Sequence, residues 1–239
     1  MFTDNKKIGH LKILITTIKR GYWKLIFHEI KRRLYSVDNT YVIRRNLLMP
    51  FKNPNTKIKL TIREIRKDDI LKLFDIDSLN ISANEYWNRI RRLSLLKTDI
   101  KKCYVAVTQK GVPCHIHWLI EPNENEKLQI FSRGGFLILK ENEMLLEGGY
   151  TPEAHRNCGI QSFAMSQLCE VGKKNGARWV LGFIRQLNIP SLKTAQKAGF
   201  KPYMIRKEKW IMFRRKFEYI FCPSDAQYPF ETDNEREPF

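Results

Sequence analysis

Between Leu145 and Gln161 the chain reads Leu-Leu-Glu-Gly-Gly-Tyr-Thr-Pro-Glu-Ala-His-Arg-Asn-Cys-Gly-Ile-Gln, the pattern of a strand, a turn and a helix start. A glycine at such a junction lets backbone approach a ligand closely. The first free N–H groups of the helix, with its dipole, favour an anion such as pyrophosphate. Arg156 adds a fixed positive charge at the same place. A second concentration of chemistry is His115 and His117, whose spacing puts both imidazoles on one face of a strand. Two imidazoles could begin a metal site, but no carboxylate or thiolate stands at ligand spacing, so pocket lining or packing is expected and no metal. Five cysteines lack any C-x-x-C pair and read as buried reduced thiols.

These residues need elements to position them. Leu11, Leu14, Ile15, Ile18, Tyr22, Leu25, Ile26, Ile30 and Leu34 recur at helical spacing, with Lys12, Lys19, Lys24, Lys31 and Arg32 elsewhere around the helix. This is a basic amphipathic helix that Gly21 could split. Its apolar face can dock on the rest of the protein or lie on an anionic membrane surface. Residues 46–57, with Pro50 and Pro54, read as a linker. Beyond it come a strand over 58–65, helices over 68–79 and 84–97, and a hairpin from Cys103–Thr108 and Val112–Ile120. Strands over Phe131–Leu139 and Met144–Tyr150 follow, then a helix over 159–174, a buried strand over Trp179–Phe183, and a short helix over 190–198 leading into strand material through Phe213. The expected fold class is α+β, a mixed, mostly antiparallel sheet flanked by helices, with the basic helix added in front. The expected division is a helical extension and linker over 1–57, one domain over 58–217 and a polar tail over 218–239.

Composition supports one sizeable core, with 43% hydrophobic residues among 239. The formal charge is +18, and residues 1–60 carry 14 basic against 3 acidic side chains. No apolar run approaches the ~20 residues of a membrane span. The run Leu11–Ile18 leads straight into Lys19 and Arg20 without a small-residue cleavage site, so no secretory signal is expected. A cytoplasmic protein is expected, one that could sit peripherally at the inner membrane surface. No nucleic-acid motif is present, and nucleic acid is not expected as a partner.

Downstream of the buried strand, Asn188-x-x-Ser191-x-x-x-Ala195-x-x-x-Gly199-Phe200 follows at a fixed distance from the strand–turn–helix. Together the two blocks resemble the GNAT (GCN5-related N-acetyltransferase) acyltransferases. The resemblance implies that Arg156, Gly159 and Gln161 match the motif holding the pyrophosphate of acyl-coenzyme A, with Tyr150, Asn157, Cys158 and Ile160 around it. Asn188 and Ser191 would then line the pantetheine arm. Gln161 stands where the family usually has a small residue, which makes the cradle bulkier. Ala195 stands where many relatives carry a proton-donating tyrosine, so no general acid is assigned. A bulky residue at Gly159 is expected to weaken coenzyme binding and leave the fold largely intact.

The implied activity is N-acyl transfer from acetyl-CoA or another acyl-CoA to a small-molecule amine by direct attack. A backbone N–H near Tyr150 could polarise the thioester carbonyl. Glu147, a carboxylate in an apolar strand, is the candidate general base, or else it pairs with a nearby Arg or Lys. His117 is a secondary candidate, while His155 is read as packing beside the turn. Arg89, Arg91 and Arg92 could draw an anionic acceptor or form a solvated helix face. The competing reading is a non-catalytic module of the same fold that binds acyl-CoA or docks on a membrane through residues 11–34.

Overall fold

The computed structural model describes residues 15–75 and 81–232 of the chain. A helical turn over 15–19 and helix α1 (Trp23–Leu34) are separated at Gly21, and Leu11 and Leu14 lie outside the described residues. Strand β1 (Tyr35–Asn46) follows α1 directly. Then come β2 (Leu60–Glu64), α2 (Lys67–Leu73), α3 (Ala83–Leu96), β3 (Cys103–Thr108), β4 (Pro113–Ile120), α4 (Asn125–Ser132) and β5 (Glu143–Tyr150). The chain closes with α5 (Ile160–Lys174), β6 (Trp179–Arg185), α6 (Ile189–Lys197), β7 (Lys201–Ile211), β8 (Arg214–Phe221) and the short α7 (Pro229–Thr232).

One eight-stranded sheet runs in the order β2-β3-β4-β5-β6-β1-β7-β8. Every neighbouring pair is antiparallel except β5–β6. Helices cover both faces. On one, Leu73, Leu95 and Leu128 from α2, α3 and α4 meet Val105, Trp118, Leu145 and Leu181. On the other, Met165, Leu168, Leu192 and Ala195 from α5 and α6 meet Ile43, Leu146 and Val180. The mixed, mostly antiparallel α+β class expected from the sequence is the architecture observed.

Three expectations are corrected. Residues 35–46 are not part of a helical extension and linker: β1 lies inside the sheet, with Val42 opposite Phe183 on one side and Met204 on the other. Val42 and Ile43 are fully buried, because a strand covered on both faces is apolar without alternation. Residues 131–139 form no strand. Helix α4 ends at Ser132, and the Asn125 amide then bonds both the N–H and the carbonyl of Leu139, while Gln129 donates to the Phe136 carbonyl. Side-chain amides thus satisfy backbone groups that a neighbouring strand would have taken. Finally, residues 218–239 are not all tail. Residues 218–221 complete β8, and Tyr228 is buried, packing on Tyr41 and donating to the Phe200 carbonyl.

Candidate active site

The parallel pair β5–β6 is in register from Glu143 opposite Trp179 to Leu146 opposite Gly182. Beyond those residues the strands part, and an opening forms in the middle of the sheet. A bulge creates the divergence on β5: Trp118 faces Glu147 and Ile116 faces Tyr150, so β5 spends an extra residue at Gly148-Gly149. Gly148 has φ +70°, and a Cβ there would stand 2.7 Å from both Leu95 and Trp118, so only glycine fits. Arg92 of α3 holds the bulge open, donating to the Gly149 carbonyl at 2.9 Å and to Gly148 at 3.4 Å.

A cavity of about 930 Å³ passes through this opening. One end is lined by Arg156, Gln161 and Met165 at the start of α5, and by Asn188 and Ser191 at the start of α6. The other end reaches Arg32 of α1, Arg91 and Arg92 of α3, and Arg206 of β7. Glu147, Gly148, Gly149 and His117 line the middle.

Glu147 makes no ion pair among the described residues. Burial pushes its carboxyl above the usual range, opposed by the charges of Arg91, Arg92 and Arg206 and a bond from the Gly148 backbone. The pairing of Glu147 opposite Trp118 also fixes His117 on the other face of the sheet from Glu147. His117 is buried, packs on Gly149 and lies 3.3 Å from His115. His115 in turn contacts the Thr151 hydroxyl at 2.8 Å. Burial, then the Arg92 charge, push the His117 pKa down to about 3, so it is neutral near pH 7. Among the described residues no three His, Cys, Asp or Glu side chains come together as metal ligands would.

The end expected to hold the pyrophosphate differs from the sequence reading in two respects. Gly159 is the left-handed N-cap of α5, but the space a side chain would enter is filled by the Asn55 carbonyl, 2.9 Å from an ideal Cβ. Residues 53–57 run against it, with the Lys57 N–H bonded to the Cys158 carbonyl at 3.1 Å. A larger residue at Gly159 therefore disturbs the chain packing itself, contrary to the expectation of an intact fold. Arg156 is not a free cation either. It donates to Glu85 at 2.9 Å, to Glu153 at 3.3 Å and to the Thr151 carbonyl at 3.1 Å.

Asn157 is in the left-handed region, Cys158 is half-buried, and Ile160 packs on Ala106 and Cys114 rather than lining the cavity. Asn188 caps α6 by accepting from the Ser191 N–H at 3.3 Å, leaving its amide group for the cavity. The Tyr150 side chain is buried against Phe74 and bonded to Glu85 and Arg89. Its hydroxyl is pushed up to about 12, by burial first and by the Glu85 bond second. Ala195 is buried core, and Tyr203 stacks under Arg44 outside the cavity. Arg89 and Arg92 do not form a solvated helix face, since Arg89 is bound by Glu85 and Tyr150 and Arg92 by the bulge.

Sequence reasoning missed Arg32, Arg206, Glu208 and Arg215. Glu208 is buried and takes bonds from Arg215 at 3.0 and 3.1 Å, from Arg32 at 3.1 Å and from the Trp210 indole at 2.6 Å. All four residues line or brace the cavity end formed by α1, β7 and β8. Their one visible signal was charge at alternate positions of a strand, Arg206 and Glu208.

The residues present fit an acyl-CoA: the opening between β5 and β6, the first turn of α5, and Asn188 with Ser191 border a single continuous cavity. No protein-family model and no curated protein matches the sequence. Solved structures do. A GCN5-related glucosamine N-acetyltransferase region of a fungal multi-domain GH3 β-N-acetylglucosaminidase overlaps 78% of this chain at a TM-score of 0.53 and 13% identity. The overlap spans about a fifth of that protein's length, 22%. A GCN5-related N-acetyltransferase from Sphaerobacter thermophilus overlaps 84% of this chain and 58% of its own, with a TM-score of 0.47 and 13% identity. A GNAT-family acetyltransferase from Colwellia psychrerythraea overlaps 80% and 59%, with a TM-score of 0.47 and 14% identity. The sheet with its parted strands, the helices on both faces and the overlap with the first of these structures show that this chain adopts the GNAT fold.

Proposed function

We propose that the protein is an acyl-CoA-dependent N-acyltransferase that acylates a small-molecule amine by direct attack. The observation that carries this reading is the single cavity joining the α5 N-terminal turn, the parted strands and Glu147. Acyl-CoA supplies an activated acyl thioester when bound. The first turn of α5 presents N–H groups without intrahelical partners towards phosphate oxygens. Asn188 and Ser191 border the path of a pantetheine arm. Backbone N–H groups freed where β5 leaves β6 polarise a carbonyl placed there. Glu147, with its raised pKa, takes the proton of an ammonium acceptor and leaves the amine neutral; the nitrogen then bonds the acyl carbon as the C–S bond breaks, with the thiol released as the thiolate.

The acceptor end supports an anionic amine. Among the described residues Arg32, Arg91, Arg92, Arg206 and Arg215 line this part of the cavity, and Arg91 and Arg206 stand within electrostatic reach of Glu147. A carboxylate or phosphate on the acceptor would meet those guanidinium groups while its amine meets Glu147. The test is thiol release from acetyl-CoA and longer acyl-CoAs over a panel of anionic and neutral amines, comparing wild type with Glu147→Gln. Turnover with an anionic amine, lost in the variant, is the expected result. Failure of every acyl-CoA to bind in calorimetry removes the basis of the reading; binding without turnover leaves a non-catalytic carrier of the same fold.

A further inference from the structure

Helix α1 presents an apolar stripe to solvent. Trp23, Phe27, Ile30 and Leu34 follow one another at four- and three-residue spacing and form one narrow apolar stripe. All four are exposed, Phe27 by 69%, and no residue of α1 is fully buried. The inward side mixes apolar and charged groups: Tyr22, just before the helix, packs on Tyr86, and Leu25 and Ile26 are half-buried. Arg32 pairs with Glu208 at 3.1 Å, Glu29 pairs with Arg32 and Arg33, and both guanidinium groups lie against the Trp210 ring. The protein thus holds α1 by its charged groups together with Leu25, part of the apolar face expected to pack on the domain, and presents a second apolar stripe outward.

The stripe does not end with the helix. The Met212 and Phe213 N–H groups donate to the Leu34 and Arg33 carbonyls, each at 2.8 Å, so the tip of the β7–β8 hairpin joins the last turn of α1. Ile211, Met212 and Phe213 are all exposed there, with Tyr35 beside them. Basic residues surround this apolar ground. Residues 15–35 contain six basic side chains and one acidic, and Lys24, Lys31, Lys209, Arg214 and Lys216 are exposed around the helix and hairpin.

We infer that α1 and the β7–β8 tip dock the protein on an anionic lipid bilayer. Exposed Trp, Phe and Met side chains ringed by Lys and Arg match both layers of such a surface, acyl boundary and anionic headgroup. A protein partner of this composition would need an acidic rim around an apolar groove, whereas the bilayer offers that combination over any area. The inward side of α1 carries Leu25, Glu29 and Arg32 of the cavity wall, so docking would hold the cavity beside the lipid surface.

The experiment is co-sedimentation of the full chain with phosphatidylcholine vesicles with and without phosphatidylglycerol. Binding is expected only with phosphatidylglycerol and is expected to fall steeply near 1 M salt, where screening acts over about 3 Å. Lys24→Ala with Lys31→Ala should weaken it about fivefold per lysine, and Phe27→Ser with Met212→Ser about tenfold or more. These side chains stand in solvent, so all variants should keep the wild-type melting temperature; the lysine pair remains informative even if the apolar pair does not. No binding at low salt overturns the inference, as does binding that the lysine pair leaves unchanged. Sedimentation velocity adds one further check. A wild-type dimer that Phe27→Ser dissociates would assign this face to a second copy and overturn the lipid assignment.

Discussion

Glu147 and His117 enter the same cavity from opposite faces of the sheet, and burial moves their pKa values in opposite directions. The raised carboxyl is the base of the proposed mechanism, while the imidazole at about 3 stays neutral near pH 7. The rate of acyl transfer at saturating acceptor should therefore rise with pH through a value above the usual carboxylate pKa. That limb should survive in His117→Gln and vanish in Glu147→Gln, with kcat lowered by about 10²–10⁴ in the latter. A pH–rate profile of the three proteins checks this. The sequence singled out both residues, but their strand parity relative to each other is set by the bulge opposite Trp118, which leaves no local signature beyond a pair of glycines.

At the scale of elements, the strand–turn–helix at 145–161 and the hairpin at 103–120 were legible because each is fixed by neighbours in the chain. The packing of 53–57 against α5 was not, since nothing near Asn55 announces that its carbonyl lies over Gly159. Gly159→Ala should accordingly lose about 1–2 kcal/mol from the left-handed backbone alone, with more from displacing Asn55. Denaturant unfolding should show this loss without any ligand present. A second prediction concerns the bulge. Arg92→Leu removes the donors to Gly148 and Gly149 and a charge that holds the Glu147 carboxyl down, so it should lower acyl-CoA affinity and kcat together and move the carboxylate limb of the pH profile to higher pH. Calorimetry and the pH–rate profile read the two effects separately.

For the molecule as a whole, the basic front end is structurally two things. Residues 35–46 are an interior strand, so deleting residues 1–57 should abolish folding instead of leaving a working domain. Circular dichroism of the truncated protein should show loss of cooperative melting. The sheet end beside α1 depends on Glu208. Burial alone would raise its carboxyl, but bonds from Arg215 and Trp210 and the charges of Arg215 and Arg206 hold it down to about 2. A carboxyl lowered in the folded state contributes stability that is present above its unfolded pKa and lost as pH falls towards the folded value. About 3 kcal/mol should thus disappear between about pH 5 and pH 2, and Glu208→Gln should flatten that part of a stability–pH curve.

The sequence by itself determined the α+β class, the strand–turn–helix at 145–161, and Glu147 as the carboxylate in an apolar strand. These follow from periodicity, turn chemistry and residue type, which act over a few positions. Only the tertiary structure decided that β1 fills a slot between β6 and β7, that Arg156 is bound by Glu85, and that α1 turns its apolar stripe outward. Each of those depends on which distant residues meet. An apolar run can be buried in a sheet or packed as a helix, and an arginine can serve a ligand or a glutamate, until the partner that satisfies it is in place.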